Sequence, residues 1–286
     1  MKRVRVEGAE RRRFLTEMRK LRQAAKLNQT EAAELIDRDQ RAISSLERGE
    51  RGIRKRELWA LLDGYGVTDD AEREELWRLS QAKSDRGWLD EYASSLSPSY
   101  ASYVAFEQEA TEIHTWEPAL VHGLLQTPDY ARGVIRRTAR EATPDDVERR
   151  VEVRIARQAH VEKARPRLWM VMSELSLRLS VGSDEVMREQ LSRLLEISEQ
   201  PQITIQVVPL AAGVHPGVLG SLTVLRFPPP DEDLIYLETM AGDVYPAGNA
   251  ARDCKVAFDH VRACALDVRT SIGVIRQALS DLKEGP

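Results

Sequence analysis

The chain has 286 residues, 42% of them hydrophobic and 31% charged, which excludes a disordered or fibrous class and leaves room for one or two domains with a sizeable core. No apolar run approaches the roughly 18 to 20 residues of a membrane span, and the basic start, Met1 to Glu10, lacks the apolar stretch of a secretory signal. Two cysteines, Cys254 and Cys264, make neither a disulfide scaffold nor, alone, a structural zinc site, so a reduced, cytoplasmic protein is expected. The net charge of −4 hides an asymmetry: residues 1–60 carry 17 Lys/Arg against 10 Asp/Glu, while the remainder is acidic. A basic front on an acidic body is the footprint of a domain that meets a polyanion.

In chain order, Phe14, Leu15, Met18, Leu21 and Ala25 recur at threes and fours and predict an amphipathic helix from Glu10 to Ala25. Asn28, with Glu31 three residues on, has the spacing of a capping box and starts a short helix from Gln29 to Ile36. Asp37 and Arg38 break it. Asp39 caps a third helix, Gln40 to Arg48, with Ala42, Ile43 and Leu46 on its apolar side and Gly49 as its stop. A fourth runs from about Lys55 to Tyr65.

Two short helices joined by a tight turn form a helix-turn-helix. The small Ala32 and Ala33 let the first pass close to the second, which turns Gln40, Arg41, Ser44 and Ser45 outward. An amide and a guanidinium at a helix start are the side chains that read purine edges in the major groove. The stretches Leu27 to Ile36 and Ile43 to Gly49 resemble the Xre/Cro/phage-repressor family of DNA-binding domains over about 55 residues, the Ile-Ser-x-Leu-Glu-Arg-Gly ending being the specific signal. The resemblance implies a phosphate contact by Gln29 and base-reading positions at Gln40, Arg41 and Ser45. The candidate DNA-binding set is Gln29, Thr30, Asp39, Gln40, Arg41, Ser44, Ser45, Arg48 and Arg51, the last two as phosphate-positioning charges along with Arg54, Lys55 and Arg56. Asp37 stands where the family has Gly, and Asp39 where it more often has Ser or Thr.

The first domain is expected over 1–66 and a helical linker over 67–98, including a helix from Ala71 to Ala82. The third segment, 99–286, is expected as a domain for sensing, partner binding and dimerisation. Helices are predicted over Tyr100 to Ile113, Thr127 to Arg140, a long stretch carrying Val147, Val151, Ile155 and Ala159, then Asp184 to Gln200 and a final Ala251 to Leu279. Apolar runs at Leu168 to Ser173, Ile203 to Val208, Ser221 to Phe227 and Leu234 to Thr239 predict about four short strands, hence an α+β domain behind a mostly α one.

The run Ile113 to Tyr130, with Arg157-Gln158, Met172 to Glu174, Met187 with Gln190 and Leu191, and Ile203 to Gly220, resembles the C-terminal domain of antitoxin-like (WhiJ-like) transcriptional regulators found behind Xre domains in actinobacteria. His122 stands where that family has Pro. The resemblance implies a small BldB-like protein as partner. The sequence holds no nucleotide-binding glycine pattern, metalloprotease motif or serine elbow, and its five histidines have no metal spacing, so no enzyme, cofactor or metal is expected. Glu174 and Glu238 are a candidate carboxylate pair. Trp116, Leu120, Leu124, Leu125 and Tyr130 are candidates for a partner groove, weighed against plain core. His215, between glycines, is a candidate for a loop that closes over a ligand.

Three functions stay open at this point. The first is a sequence-specific, nucleoid-associated regulator, homodimeric on a pseudo-palindromic operator, signalled by a partner or ligand. The second is an antitoxin-like interaction protein whose DNA binding serves autoregulation. The third is a small-molecule sensor.

Overall fold

The computed structural model describes residues 9–47, 51–81, 92, 98–139, 141–229, 233–240 and 242–282. Two compact units divide the chain, Met1–Glu91 and Tyr92–Pro286.

Among its described residues the regular structure of the first unit is helical: α1 (Ala9–Ala24), α2 (Gln29–Glu34), α3 (Gln40–Glu47), α4 (Lys55–Gly64) and α5 (Asp70–Gln81). Phe14, Met18, Ala32, Ala33, Ile43, Leu46, Leu58, Leu61 and Leu62 form one buried core. Leu76 and Leu79 of α5 belong to that core as well. The helix expected in a linker over 67–98 is therefore part of the first unit, because its apolar stripe is buried against α1. Trp59 and Trp77 meet edge to face, 6.4 Å apart, and fasten α4 to α5.

The second unit is α+β. Its elements are α6 (Pro98–Glu109), β1 (Glu112–Glu117), α7 (Pro128–Thr138), α8 (Pro144–Ala164), β2 (Arg167–Ser173), the single turn α9 (Leu175–Arg178), α10 (Asp184–Ile197), β3 (Ile203–Val208), β4 (Leu222–Arg226), β5 (Leu234–Thr239), β6 (Gly242–Val244), α11 (Asn249–Cys264) and α12 (Val268–Asp281). Among the described residues the sheet has six strands in the order β3-β2-β1-β4-β5-β6, where about four are expected. The half β1, β2, β3 is parallel and β4 to β6 are antiparallel. The additions are β1, at the centre, and the three-residue β6. The helix expected to reach Ile113 ends at Glu109, since β1 needs Glu112 to Glu117 extended between β2 and β4.

Alternation sends His114 and Trp116 of β1 to one face, where Phe258 and Val261 of α11 pack on Trp116, Val171 and Val224. Ile113, Thr115 and Glu117 point to the other face. Tyr103 of α6 stacks on Tyr236 of β5 there, with ring centroids 4.0 Å apart. The final helix is two helices: Leu266 N–H donates to Val207 O, and Asp267 caps α12 through Thr270 N–H at 2.9 Å.

Candidate nucleic-acid interface

α2 starts as its sequence requires. The Asn28 side chain accepts from Thr30 N–H at 2.8 Å and Glu31 N–H at 3.0 Å, while Glu31 returns a bond to Asn28 N–H at 2.7 Å. The chain leaves α2 through Asp37, which holds φ at +52°, and Arg38 N–H donates to Ala33 O. Aspartate tolerates this left-handed conformation better than most residues, though less well than the glycine of the resembling family. Asp39 then caps α3 by accepting from Ala42 N–H at 3.1 Å. Asp39 therefore has a structural task at the position where a DNA contact is expected.

α3 buries Ile43 and Leu46 against Ala32 and Ala33, which are too small to hold the helices apart. The opposite side carries Gln40 and Arg41, both exposed, with Ser44 and Ser45 half-buried beside them. Gln40 Nε2 donates to Gln29 Oε1 at 2.6 Å, so the side chains at the starts of α2 and α3 are joined, and Thr30 is exposed next to them.

Gln29 in turn donates to Glu47 at 2.8 Å, and Glu47 accepts from Arg22 Nε at 2.6 Å. Glu47 is 7% exposed. Burial pushes its carboxyl up, but the bonds from Arg22 and Gln29 outweigh that and hold it below the ordinary glutamate value. Sequence reasoning gave Glu47 no role beyond its place in the Leu-Glu-Arg-Gly ending; the structure makes it the anchor of the Gln29–Gln40 pair. Arg48 lies outside the described residues. Arg51 is turned inward onto Glu57 at 2.9 Å, with Arg38 on the other oxygen at 3.3 Å, so it braces α4 rather than standing clear for a phosphate.

In the second unit the motifs scattered along the sequence converge. The segment after β1 forms a 3-10 turn, Gly123–Leu125, clamped by glutamines. Gln158 of α8 donates to Gly123 O and Gln126 O, both at 2.8 Å. Gln190 of α10 donates to Leu125 O and accepts from Thr127 N–H. Arg157 is 3% exposed and grips Glu107 through Nε at 2.5 Å and Nη2 at 2.6 Å.

The candidate partner groove does not form as one surface. Trp116 and Tyr130 are buried. Trp116 Nε1 donates to Gly217 O at 2.7 Å, and the His215 ring meets it edge-on, so these two residues do come together. Tyr130 is held by Val121 N–H, which donates to its hydroxyl. Leu124 and Leu125 instead line a pocket with Val161, Leu168 and Arg165 among its walls. The Glu174–Glu238 pair is not formed: Glu174 accepts from Leu210 N–H and Arg178, while the charge of Glu238 bears on Glu117. Both cysteines are free and half-buried, and no group among the described residues has the makings of a metal site. No helix among them is long and apolar enough to cross a membrane.

Comparison with known proteins adds two family matches. Residues 13–76 match a helix-turn-helix domain. Residues 100–277 match a domain of unknown function, DUF5753. No curated protein and no solved structure matches the chain. The first match supports a DNA-binding regulator of Xre-like type and coincides with the α2–α3 geometry. The second spans more than half of the sequence, and the chain belongs to the DUF5753 family.

Proposed function

We propose that this protein is a sequence-specific transcriptional regulator that docks α3 in the major groove as a homodimer on a pseudo-palindromic operator. The observation that carries the reading is the exposed start of α3, where Gln40 is held by Gln29 and Arg41 stands beside it above a buried Ile43–Leu46 seam. Arg41 and Gln40 read base edges, Ser45 supports them, and Gln29 and Thr30 meet the phosphates. Selection of genomic fragments by the full-length protein at two salt concentrations tests it. One enriched pseudo-palindrome that persists at high salt is expected; enrichment without a motif, vanishing with salt, would reduce the unit to backbone binding. Arg41→Ala is expected to lose about 1–3 kcal/mol of discrimination at one base pair, and unchanged discrimination would sink that assignment.

We further propose that the second unit receives the signal, as in the antitoxin-like regulators the sequence resembles. The loop after β3 favours a protein partner: Leu210, Val214, Val218 and Leu219 are exposed on it, Val214 and Leu219 at 92%. A small BldB-like protein that copurifies and changes operator affinity is the expected result. A partner whose toxicity this chain suppresses would favour the antitoxin reading instead.

A further inference from the structure

The pocket beside the Gly123–Leu125 turn has an apolar floor. Leu124 and Leu125 of the turn, Val161 of α8, Leu168 of β2 and Ile197 of α10 all line it, and each is buried. Apolar walls drawn from several elements, with a few polar groups placed among them, are the make-up of a small-molecule site.

The polar part of the lining is charged, with the two guanidiniums of Arg165 and Arg193 against the one carboxylate of Glu162. Arg193 pairs with Glu196, one turn on in the same helix, at 3.0 Å, and the two side chains are 40% and 70% exposed. A solvated pair of that kind holds weakly and gives way to a better one. The exposed Arg165 side chain makes no hydrogen bond or ion pair among the described residues, although Glu162 lies one turn back on α8. Gln158 and Gln202 line the pocket too, but each has an amide donor already engaged: Gln158 on Gly123 O and Gln126 O, Gln202 on Gln200 Oε1 at 2.8 Å. The charged donors left for a ligand are the two guanidiniums.

The backbone at Arg165 points the same way. α8 ends there in the left-handed conformation, with φ +51° and ψ +47°, and Arg165 N–H donates to Val161 O at 2.9 Å. Glycine is the usual residue at such a helix end, because it has no Cβ to strain. Pro166 follows, and a proline disfavours helical backbone in the residue before it. Arginine is therefore a poor residue for ending this helix, and strain of this kind concentrates at ligand clamps. What the position gains by it is a guanidinium on the pocket.

We propose that this pocket binds a small amphiphilic anion, a short hydrocarbon chain or ring carrying one carboxylate or phosphate. The body lies on Leu124, Leu125 and Leu168, and the oxyanion is held by Arg165 and Arg193, whose planar donors suit it. The site adjoins the clamp of the second unit: Gln158 holds the turn, and its neighbour Arg157 grips Glu107 of α6. A bound molecule thus bears on the turn and, through α8, on the first helix of the unit. Its regulatory meaning rests on the second unit being the receiver of a signal; its existence does not.

The test is a methyl NMR titration of the full-length protein, labelled with carbon-13 in its leucine, valine and isoleucine methyls. Octanoate and octyl phosphate are added in separate arms. Octanol supplies the body without the charge, and acetate the charge without the body. Saturable shifts of the Leu124, Leu125, Val161, Leu168 and Ile197 methyls are expected with at least one of the two anions, bound about fivefold or more tighter than octanol. The tighter of the two reports the head group, and acetate is expected to leave these methyls unmoved. Arg165→Gly suits the left-handed backbone, so it is expected to keep or raise Tm while binding of the anion weakens about fivefold. Arg193→Gln, on the exposed side of α10, is expected to weaken it several-fold and serves alone should the first variant unfold. Shifts that never saturate or that fall outside the pocket, octanol bound as tightly as the anions, or undiminished binding in either folded variant would overturn the proposal. DNA takes no part in the titration, so a failed titration leaves the operator reading standing, and a failed operator selection leaves this site standing.

Discussion

Glu47→Ala is the sharpest perturbation of the first unit. The carboxylate accepts from Arg22 Nε at 2.6 Å, Arg22 Nη2 at 3.2 Å and Gln29 Nε2 at 2.8 Å. Its removal leaves the Arg22 guanidinium, 11% exposed, with only the Leu27 carbonyl at 2.8 Å. Breaking one side of a buried pair costs about 3–5 kcal/mol because the remaining charge is stranded. Arg22 keeps one bond and some water, so the lower end, about 3 kcal/mol, is expected. Against a domain stability of about 5–10 kcal/mol, the unit still folds but opens far more often. Hydrogen exchange read by mass spectrometry on peptides from α1 and α3 of the full chain measures the loss. In the double variant with Arg22→Ala the cost should fall short of the sum by about 2 kcal/mol. The pH dependence has a definite sign. Glu47 is held below the ordinary 4.5, so its contribution is present above that value and is lost as the pH falls through the folded value. Wild type and variant should converge in acid. A loss below about 1 kcal/mol, or strictly additive single changes, would refute the claim that Glu47 anchors the α1–α2–α3 junction.

Three other changes test the remaining arguments. Asp37→Gly relieves a left-handed aspartate and should stabilise the first unit by about 0.5–1 kcal/mol, read as slower exchange in α2; a loss would mean that the aspartate side chain holds the turn. Gly217→Ala places a Cβ 2.6 Å from Trp116 Nε1 and 2.8 Å from Val261, and should cost about 1–3 kcal/mol with a change in Trp116 fluorescence; an unchanged Tm would show that the loop gives way freely. Glu117→Gln should stabilise the second unit increasingly with pH. The raised native value means the folded state keeps a proton the unfolded chain releases, so wild-type stability falls as the pH climbs from the ordinary 4.5 towards about 8. Urea titrations across that window should show the variant's advantage growing, and a constant difference would show that Glu117 titrates normally.

What the sequence determined by itself is the local part. The helices of the first unit were legible in their apolar periods and in the caps Asn28 and Asp39, since capping and amphipathicity act within a few residues. β2 to β5 were legible as short apolar runs. Tertiary structure decided what depends on distant neighbours. β1 reads Glu-Ile-His-Thr-Trp-Glu, too polar for a central strand until β2 and β4 pair with it on both sides. The break at Ala265–Asp267 is invisible to periodicity, because the apolar phase runs on through it while Leu266 bonds to β3. Arg157-Gln158 and Gln190 stood out only as motif letters; that they close on one turn from two helices follows from the packing of α8 and α10. Glu47, Glu107 and Arg157 belong to the same class. A charged residue reads as surface in a sequence, and only a partner of opposite charge brought up by the fold can make its burial tolerable.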